Sequence, residues 1–378
     1  MSIRNRMWTA LFIFFNLACT TQPAPSSRIK IGAVLPLTGG QASFGLNARQ
    51  GIELAVQEYN QSQTHPLRRV ELLVLDDQGK SEEAAIALTQ LITRSKIVAA
   101  IGEISSSSTL AIAPIAQKYA IPLVTPGATH PRVTQIGSFI FRTCFIDSLQ
   151  GEALAQFVRQ DLKLDQVGIL HDTKSDYSQG LAESFRRSFV RQGGRIILNQ
   201  SYGSGDIEFR SQLTALRAAR PQGIFIPGSY MEVGLIARQA RELGITVPLF
   251  GGDSWDSPRL GEIASKAIEG AYFSNHYSSN EASPGVSEFI ARYQAQYRRS
   301  PDGLAALGYD GTRVLLEAIS RSSVVTPENI RIALTQTRNF PGINGAISLD
   351  DQRNAIKPIS ILRISQGQFK FFKSIQPD

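Results

Sequence analysis

The chain has 378 residues, 42% of them hydrophobic and 19% charged, with a net charge of +7. That composition excludes a disordered chain, and a small positive surplus with no Lys/Arg run longer than two excludes a nucleic-acid footprint. The length exceeds what a single core usually organises, so two domains are expected.

Arg4 and Arg6 precede an apolar run at 7–18, which is too short to cross a bilayer but suits a secretory signal. Cys19 follows at once, where a bacterial lipoprotein would be cleaved and acylated, although Asn16 occupies a position where an aliphatic residue is usual. Lipidation of Cys19 is therefore expected, with simple cleavage as the alternative. Residues 20–27 hold Pro23, Pro25 and several hydroxyls without apolar periodicity and read as a tether. The chain is thus expected to work outside the cytoplasm. Cys144 is then the only remaining thiol, with no partner for a disulfide, and its apolar surroundings suggest an inert strand residue.

After the tether, β-rich runs at 29–37, 70–75, 97–101 and 121–125 alternate with amphipathic stretches at 44–60, 82–93 and 109–119. This rhythm predicts a parallel sheet with right-handed crossovers. It restarts with a helix at 149–162, strands at 167–170, 195–198, 223–226 and 248–250, and helices at 180–191, 209–220 and 232–243. An α/β fold of two doubly wound parallel-sheet lobes follows. A strand at 270–277 then leads to helices at 286–298, 305–320 and 327–336, one short strand at 345–348, and a terminal pair at 359–364 and 369–372. That helix cluster has too little strand for a sheet of its own and is expected to pack on the first lobe.

The strongest chemical signal is the loop Gly102-Glu-Ile-Ser-Ser-Ser-Ser-Thr109 between a strand and a helix. Consecutive serines at a helix start add hydroxyls to unpaired backbone N–H groups, which suits a small anion such as a carboxylate. Residues 123–129 end the next strand with Thr125, Gly127 and Thr129, and both loops leave at the carboxyl ends of adjacent strands, where open α/β folds bind ligands. The plainer reading is that Ser106 or Ser107 caps a helix and Thr125 shapes a turn. No nucleophile elbow, phosphate loop or zinc-protease motif is present, and the four histidines fall singly, so neither catalysis nor a metal site is expected. His171 and Asp172 are neighbours on a strand and point to opposite faces.

The motifs Ile31 to Gly39, Asp76-Asp77, Gly102 to Thr109, Thr125 to Thr129, His171-Asp172 with Tyr177, Gly251 to Pro258 and Ala305 to Asp310, in this order and spacing, resemble the branched-chain amino-acid class of periplasmic substrate-binding proteins of ABC importers. The resemblance implies the bilobal type I fold with three crossovers, placed here near 142–147, 274–277 and 348–351. Residues 28–145 and 277–348 would then form lobe one, and 146–276 and 349–378 lobe two. It implies an amino acid or similar small carboxylate as ligand, no cofactor, permease and ATPase subunits as partners, and a monomeric receptor. It also implies site roles: Ser106 and Thr129 for the ligand carboxylate, the Gly127 carbonyl and Asp253 for its ammonium, and Tyr177 and Tyr230 closing over it. Trp255 is a further candidate wall. Each of the lobe-two residues also has a bland reading: Asp253 as a helix cap, Tyr177 as a turn residue, Trp255 as packing.

This chain also departs from some members. Phe44 replaces a ligand-contacting tyrosine, Gly79 and Ser105 replace a disulfide pair, and Asp253 is one methylene shorter than the glutamate found in several members. A ligand sensor of the same fold, or a receptor for amides, urea or aromatic acids, remains as an alternative.

Overall fold

The structure, a computed structural model, describes residues 28–62 and 68–376. The expected signal, tether and Cys19 anchor lie outside the described residues.

The first sheet is built from β1 (Ile29–Leu35), β2 (Val70–Asp76), β3 (Ala99–Gly102), β4 (Leu123–Thr125) and β5 (Ile140–Arg142). Its order is β2-β1-β3-β4-β5 and every pairing is parallel. Helices α1 (Ala42–Gln61), α2 (Ser81–Gln90), α3 (Ser106–Lys118) and the short α4 (Arg132–Gln135) cover it. Strand β3 is buried along its whole length, as parallel strands covered on both faces are.

The second sheet is preceded by α5 (Asp147–Gln160) and contains β6 (Gln166–Asp172), β7 (Arg195–Tyr202), β8 (Gly223–Phe225), β9 (Leu249–Gly251) and β10 (Tyr272–Asn275). Its helices are α6 (Asp176–Arg191), α7 (Arg210–Ala219), α8 (Tyr230–Glu242) and α9 (Pro258–Ala264). Phe185 and Phe189 of α6 pack with Phe225 and Phe250 of the sheet and fill this lobe's core.

The chain then returns to the first sheet through α10 (Pro284–Tyr297), α11 (Gly303–Arg321) and α12 (Pro327–Thr335). Helices α1 and α11 touch backbone to backbone. A Cβ on Gly51 would lie 2.0 Å from the Ala305 carbonyl oxygen, and one on Gly308 would lie 2.5 Å from that of Ala48. Tyr293 and Tyr297 donate to Gln50, and Tyr309 donates to Glu58, so α10 and α11 are fixed to the first lobe by hydrogen bonds as well.

Two expectations need correcting. The stretch after α12 forms a small sheet of its own, β11 (Phe340–Gly342), β12 (Gly345–Leu349) and β13 (Ala355–Ile356), because antiparallel pairing lets very short segments satisfy one another. The last passage to the second lobe also comes later than 348–351. Arg353 donates to the Ile140 and Thr134 carbonyls and Asn354 accepts from Thr134, which holds this segment against the first lobe. Only β14 (Ile359–Ser365) and β15 (Gln368–Ile375) join the second sheet, antiparallel, in the order β15-β14-β10-β9-β8-β6-β7.

Candidate functional site

The carboxyl ends of the two sheets face each other across a cavity of about 440 Å³. From the first lobe it is lined by Phe44, Gln41, Gln78, Ile104, Ser105 to Ser108 and Gly127, and from the second by Asp172, Tyr177, Ser204, Met231, Glu232, Asp253 and Ser254, among others.

The first-lobe wall is made by the start of α3. Ser105, not Ser106 or Ser107, is the cap: its side chain accepts from the Ser108 amide, so the helix begins three residues earlier than the apolar pattern alone suggests. The first-turn N–H groups have no intrahelical acceptor. The Ser106 hydroxyl accepts from the His130 amide at 3.2 Å, which ties this loop to the one after β4, and the Ser107 hydroxyl reaches across the cleft to accept from the Asp176 amide at 3.1 Å. Thr125 shapes its turn, bonding the Glu103 carbonyl and the Ala128 amide. Gly79 and Ser105, the positions at which the resemblance implied a missing disulfide, are each tied locally: Ser105 N–H donates to Glu103 at 2.6 Å and Gly79 N–H to Asp77 at 2.8 Å. Both acids are buried and near each other. Burial pushes Glu103 up to about 8 and Asp77 up to about 6.

The second-lobe wall centres on Asp253, which is 7% exposed. One carboxylate oxygen accepts from Gln150 Nε2 at 2.6 Å and from the Tyr177 hydroxyl at 2.8 Å, and the other faces His276 Nε2 at 3.1 Å. Burial alone would raise its pKa, but the bonds from His276, Gln150 and Tyr177 outweigh that and hold it below the ordinary carboxylate value. Burial keeps His276 below its ordinary value despite the pull of Asp253, so the charge rests on the carboxylate, and the acceptor character of that carboxylate assigns the proton to Nε2. His276 stacks on Phe145 with ring centroids 3.4 Å apart. The Tyr177 hydroxyl, raised well above its ordinary value by burial and then by Asp253, stays a donor.

Of the residues expected to form the site, Ser106, Gly127, Phe44, Tyr177 and Asp253 line the cavity. Three expected residues do not. Thr129 is fully buried, its hydroxyl beside the Asp147 carboxyl without an aligned hydrogen bond. Trp255 is a core residue: its indole N–H donates to the Ile226 carbonyl at 3.0 Å, and its ring occupies the space that a Cβ on Gly251 would need. Tyr230 is fully buried and joins the lobes directly, its hydroxyl donating to the Gly40 carbonyl at 3.0 Å and its ring packing edge-on against Phe44 with centroids 4.9 Å apart. Ser43 with Ser257 at 3.1 Å, and the Gly303 amide donating to Asp256 at 2.7 Å, add further bonds between the lobes.

Sequence reasoning missed Gln150, His276, Met231 and Glu232. Gln150 and His276 reach Asp253 from a helix and a hinge segment far away in sequence, and no local motif marks them. Cys144 is buried and its thiol is pushed up to about 12, chemically quiet. Among the described residues no group of three or more His, Cys, Asp or Glu side chains could hold a metal ion.

Two doubly wound lobes with a polar cleft between their strand ends define a bilobal binding protein. Residues 28–368 match the family described as periplasmic binding protein, and the chain belongs to that family. It is 40% identical to a leucine binding protein, LivK, from Thermotoga maritima MSB8, with a TM-score of 0.89 over 93% of this chain and 99% of that one. A branched-chain amino acid transporter substrate binding protein, LivJ, from Streptococcus pneumoniae, solved in complex with isoleucine, is 30% identical with a TM-score of 0.87, over 93% of this chain and 100% of that one. A leucine-, isoleucine-, valine-, threonine- and alanine-binding protein from Pseudomonas aeruginosa is 26% identical over 86% of this chain and 87% of its own length.

Proposed function

We propose that this protein is the receptor of an ABC importer, that it binds a neutral amino acid or a similar small carboxylate between its lobes, and that it presents the closed form to permease and ATPase subunits as a monomer. The observation that carries this reading is the polarity of the cleft. One wall offers hydroxyls and backbone N–H groups at the start of α3, and the other offers the ionised Asp253. A zwitterion needs donors at its carboxylate and an anion at its ammonium. Phe44, Ile104, Met231 and Leu304 leave room for apolar contact with the side chain. The names of the relatives support the same ligand class.

Calorimetric titration with leucine, isoleucine, valine, threonine, alanine, urea and benzoate tests the reading. An amino acid should bind most tightly, and at 100 times its Kd should add about 2.7 kcal/mol of stability. Preference for urea or benzoate overturns it. The receptor is exported and held at the membrane through acylated Cys19, so Cys19→Ser should move it from the membrane to the soluble extracytoplasmic fraction, because acyl chains supply the hold. Mass spectrometry showing an unmodified amino terminus at Thr20 or beyond overturns the anchor.

A further inference from the structure

The cavity has a second polar end that the ligand reading leaves unassigned. It is lined there by Ser229 and Glu232 from the start of α8 and by Gln41 from the start of α1. These segments meet across the cleft, because Tyr230, next to Ser229, donates to the carbonyl of Gly40, next to Gln41, at 3.0 Å. Asp253 is tied to Gln150, Tyr177 and His276 and to none of these residues, so the two ends are distinct.

Residues 229–232 have the spacing of a capping box, a serine followed three places on by a glutamate. The box is not made. The Ser229 side chain caps nothing, and Glu232 Oε1 instead accepts from the Gly205 amide at 3.0 Å, while Oε2 accepts from no other described residue. Gln41 precedes α1 in the same way, its amide making neither a cap bond nor a hydrogen bond with any other described residue. All three residues are half-buried, so their unpaired atoms cost free energy unless a partner enters with the ligand. Burial raises the Glu232 carboxyl above its ordinary value despite the Gly205 bond, as befits a carboxylate short of donors.

We propose that Ser229, Glu232 and Gln41 form the seat that reads the far end of the ligand's side chain, and that the ligand is an amino acid ending in a neutral amide, with glutamine as the type. The inference rests on the amino-acid reading of the cleft. An amide nitrogen carries two donors, which suit Glu232 Oε2 and the Ser229 hydroxyl, and the amide carbonyl accepts from Gln41 Nε2. Phe44 and Met231, from the same two helix starts, take the methylene stem.

The surrounding charges favour a neutral tip over a cation. Asp172 is already satisfied by the amides of Lys174 and Ser204 and by the Ser204 hydroxyl. Lys174 lines this end as well, forms no ion pair among the described residues and supplies a positive charge. An acidic tip would meet Glu232 and be repelled. An apolar tip would cover the free carboxylate oxygen without giving it a donor, and a site built to bond a polar group rejects its apolar analogue for that reason.

Calorimetric titration of the wild-type protein with glutamine, methionine, glutamate and lysine is the test, since these unbranched side chains are of similar length and differ at the tip. Glutamine should bind at least about tenfold more tightly than each of the others, the worth of one hydrogen bond to a charged group. Glu232→Gln keeps an acceptor for Gly205, and Ser229→Ala removes a hydroxyl that caps nothing. The first should lower the ratio of glutamine to methionine affinity about tenfold and the second about fivefold, whereas a merely structural role would move both ligands alike. The wild-type ratios decide the matter even if a variant fails to fold. Methionine, glutamate or lysine binding as tightly as glutamine, or variants that weaken glutamine and methionine equally, overturns the seat alone. If none of the four binds, nor leucine, isoleucine, valine, threonine or alanine, the amino-acid reading falls with it.

Discussion

The two walls of the cleft are built in opposite ways. The first-lobe wall is one continuous segment, Ser105 to Ser108 at the start of α3, which presents uncharged donors and needs only a helix start to exist. The second-lobe wall centres on one buried ionised group, Asp253, held by residues from α5, α6 and the hinge after β10. A seat for an anion can be written into a few neighbouring residues, because the backbone supplies most of it. A buried charge has to be gathered from distant parts of the chain, because each of its lone pairs needs a donor.

The largest effect should come from breaking the charged wall. Asp253→Ala removes the anion and leaves Tyr177, Gln150 and His276 without their acceptor. Loss of roughly 2 to 5 kcal/mol of binding energy for an amino acid is expected by calorimetry, as for truncating one member of a buried pair. Tyr177→Phe removes one of the three donors and should cost about 1 kcal/mol. Ser106→Ala, on the wall where backbone groups carry much of the seat, should also cost about 1 kcal/mol or less. Equal losses for Asp253→Ala and Ser106→Ala would erase the contrast between the walls.

A pH experiment sharpens it from the first-lobe side. The folded-state pKa of Glu103 is raised, to about 8, so its contribution to stability is full at acid pH and is lost as pH climbs from the ordinary carboxyl range through about 8. Thermal melts between pH 5 and 8 should fall more steeply for the wild type than for Glu103→Gln. Ser105→Ala tests the cap itself and should cost about 1 kcal/mol of stability. The smallest expected change is in closure. Tyr230→Phe keeps the packing on Phe44 but removes the bond to Gly40, so small-angle scattering at equal ligand occupancy should show a slightly less compact average than wild type. An unchanged profile removes Tyr230 from closure.

The contrast also explains what the sequence revealed. The βαβ rhythm, the return of α10 and α11 to the first lobe and the serine loop are all local patterns, and they were legible. Strand β5 was read only through the apolar run around Cys144, and it ends at Arg142, two residues short of that cysteine. The small sheet β11-β12-β13 and the late passage to β14 depend on pairing and on Arg353 contacts made across more than two hundred residues. Ser105 was overlooked as the cap because four serines in a row offer no local way to choose among them. Trp255 and Tyr230 were both placed near the cleft by the family resemblance. Whether an aromatic ring beside a cleft faces inward or backs onto the core depends on Gly251 and on the Gly40 carbonyl, which no periodicity encodes.

The bonds from Tyr230 to Gly40, from Ser43 to Ser257 and from Asp176 to Ser107 join the lobes through protein atoms alone. Part of the energy of closure is therefore independent of what the cleft holds, and the measured affinity for any occupant is the affinity of the closed form scaled by the fraction of empty receptor already in it. How tightly the receptor binds and what it chooses thus become separable traits. Changes at these clasps would raise or lower capture of every nutrient by a common factor and leave the order of preference to the walls, so a lineage could adapt to scarcity without relearning its diet.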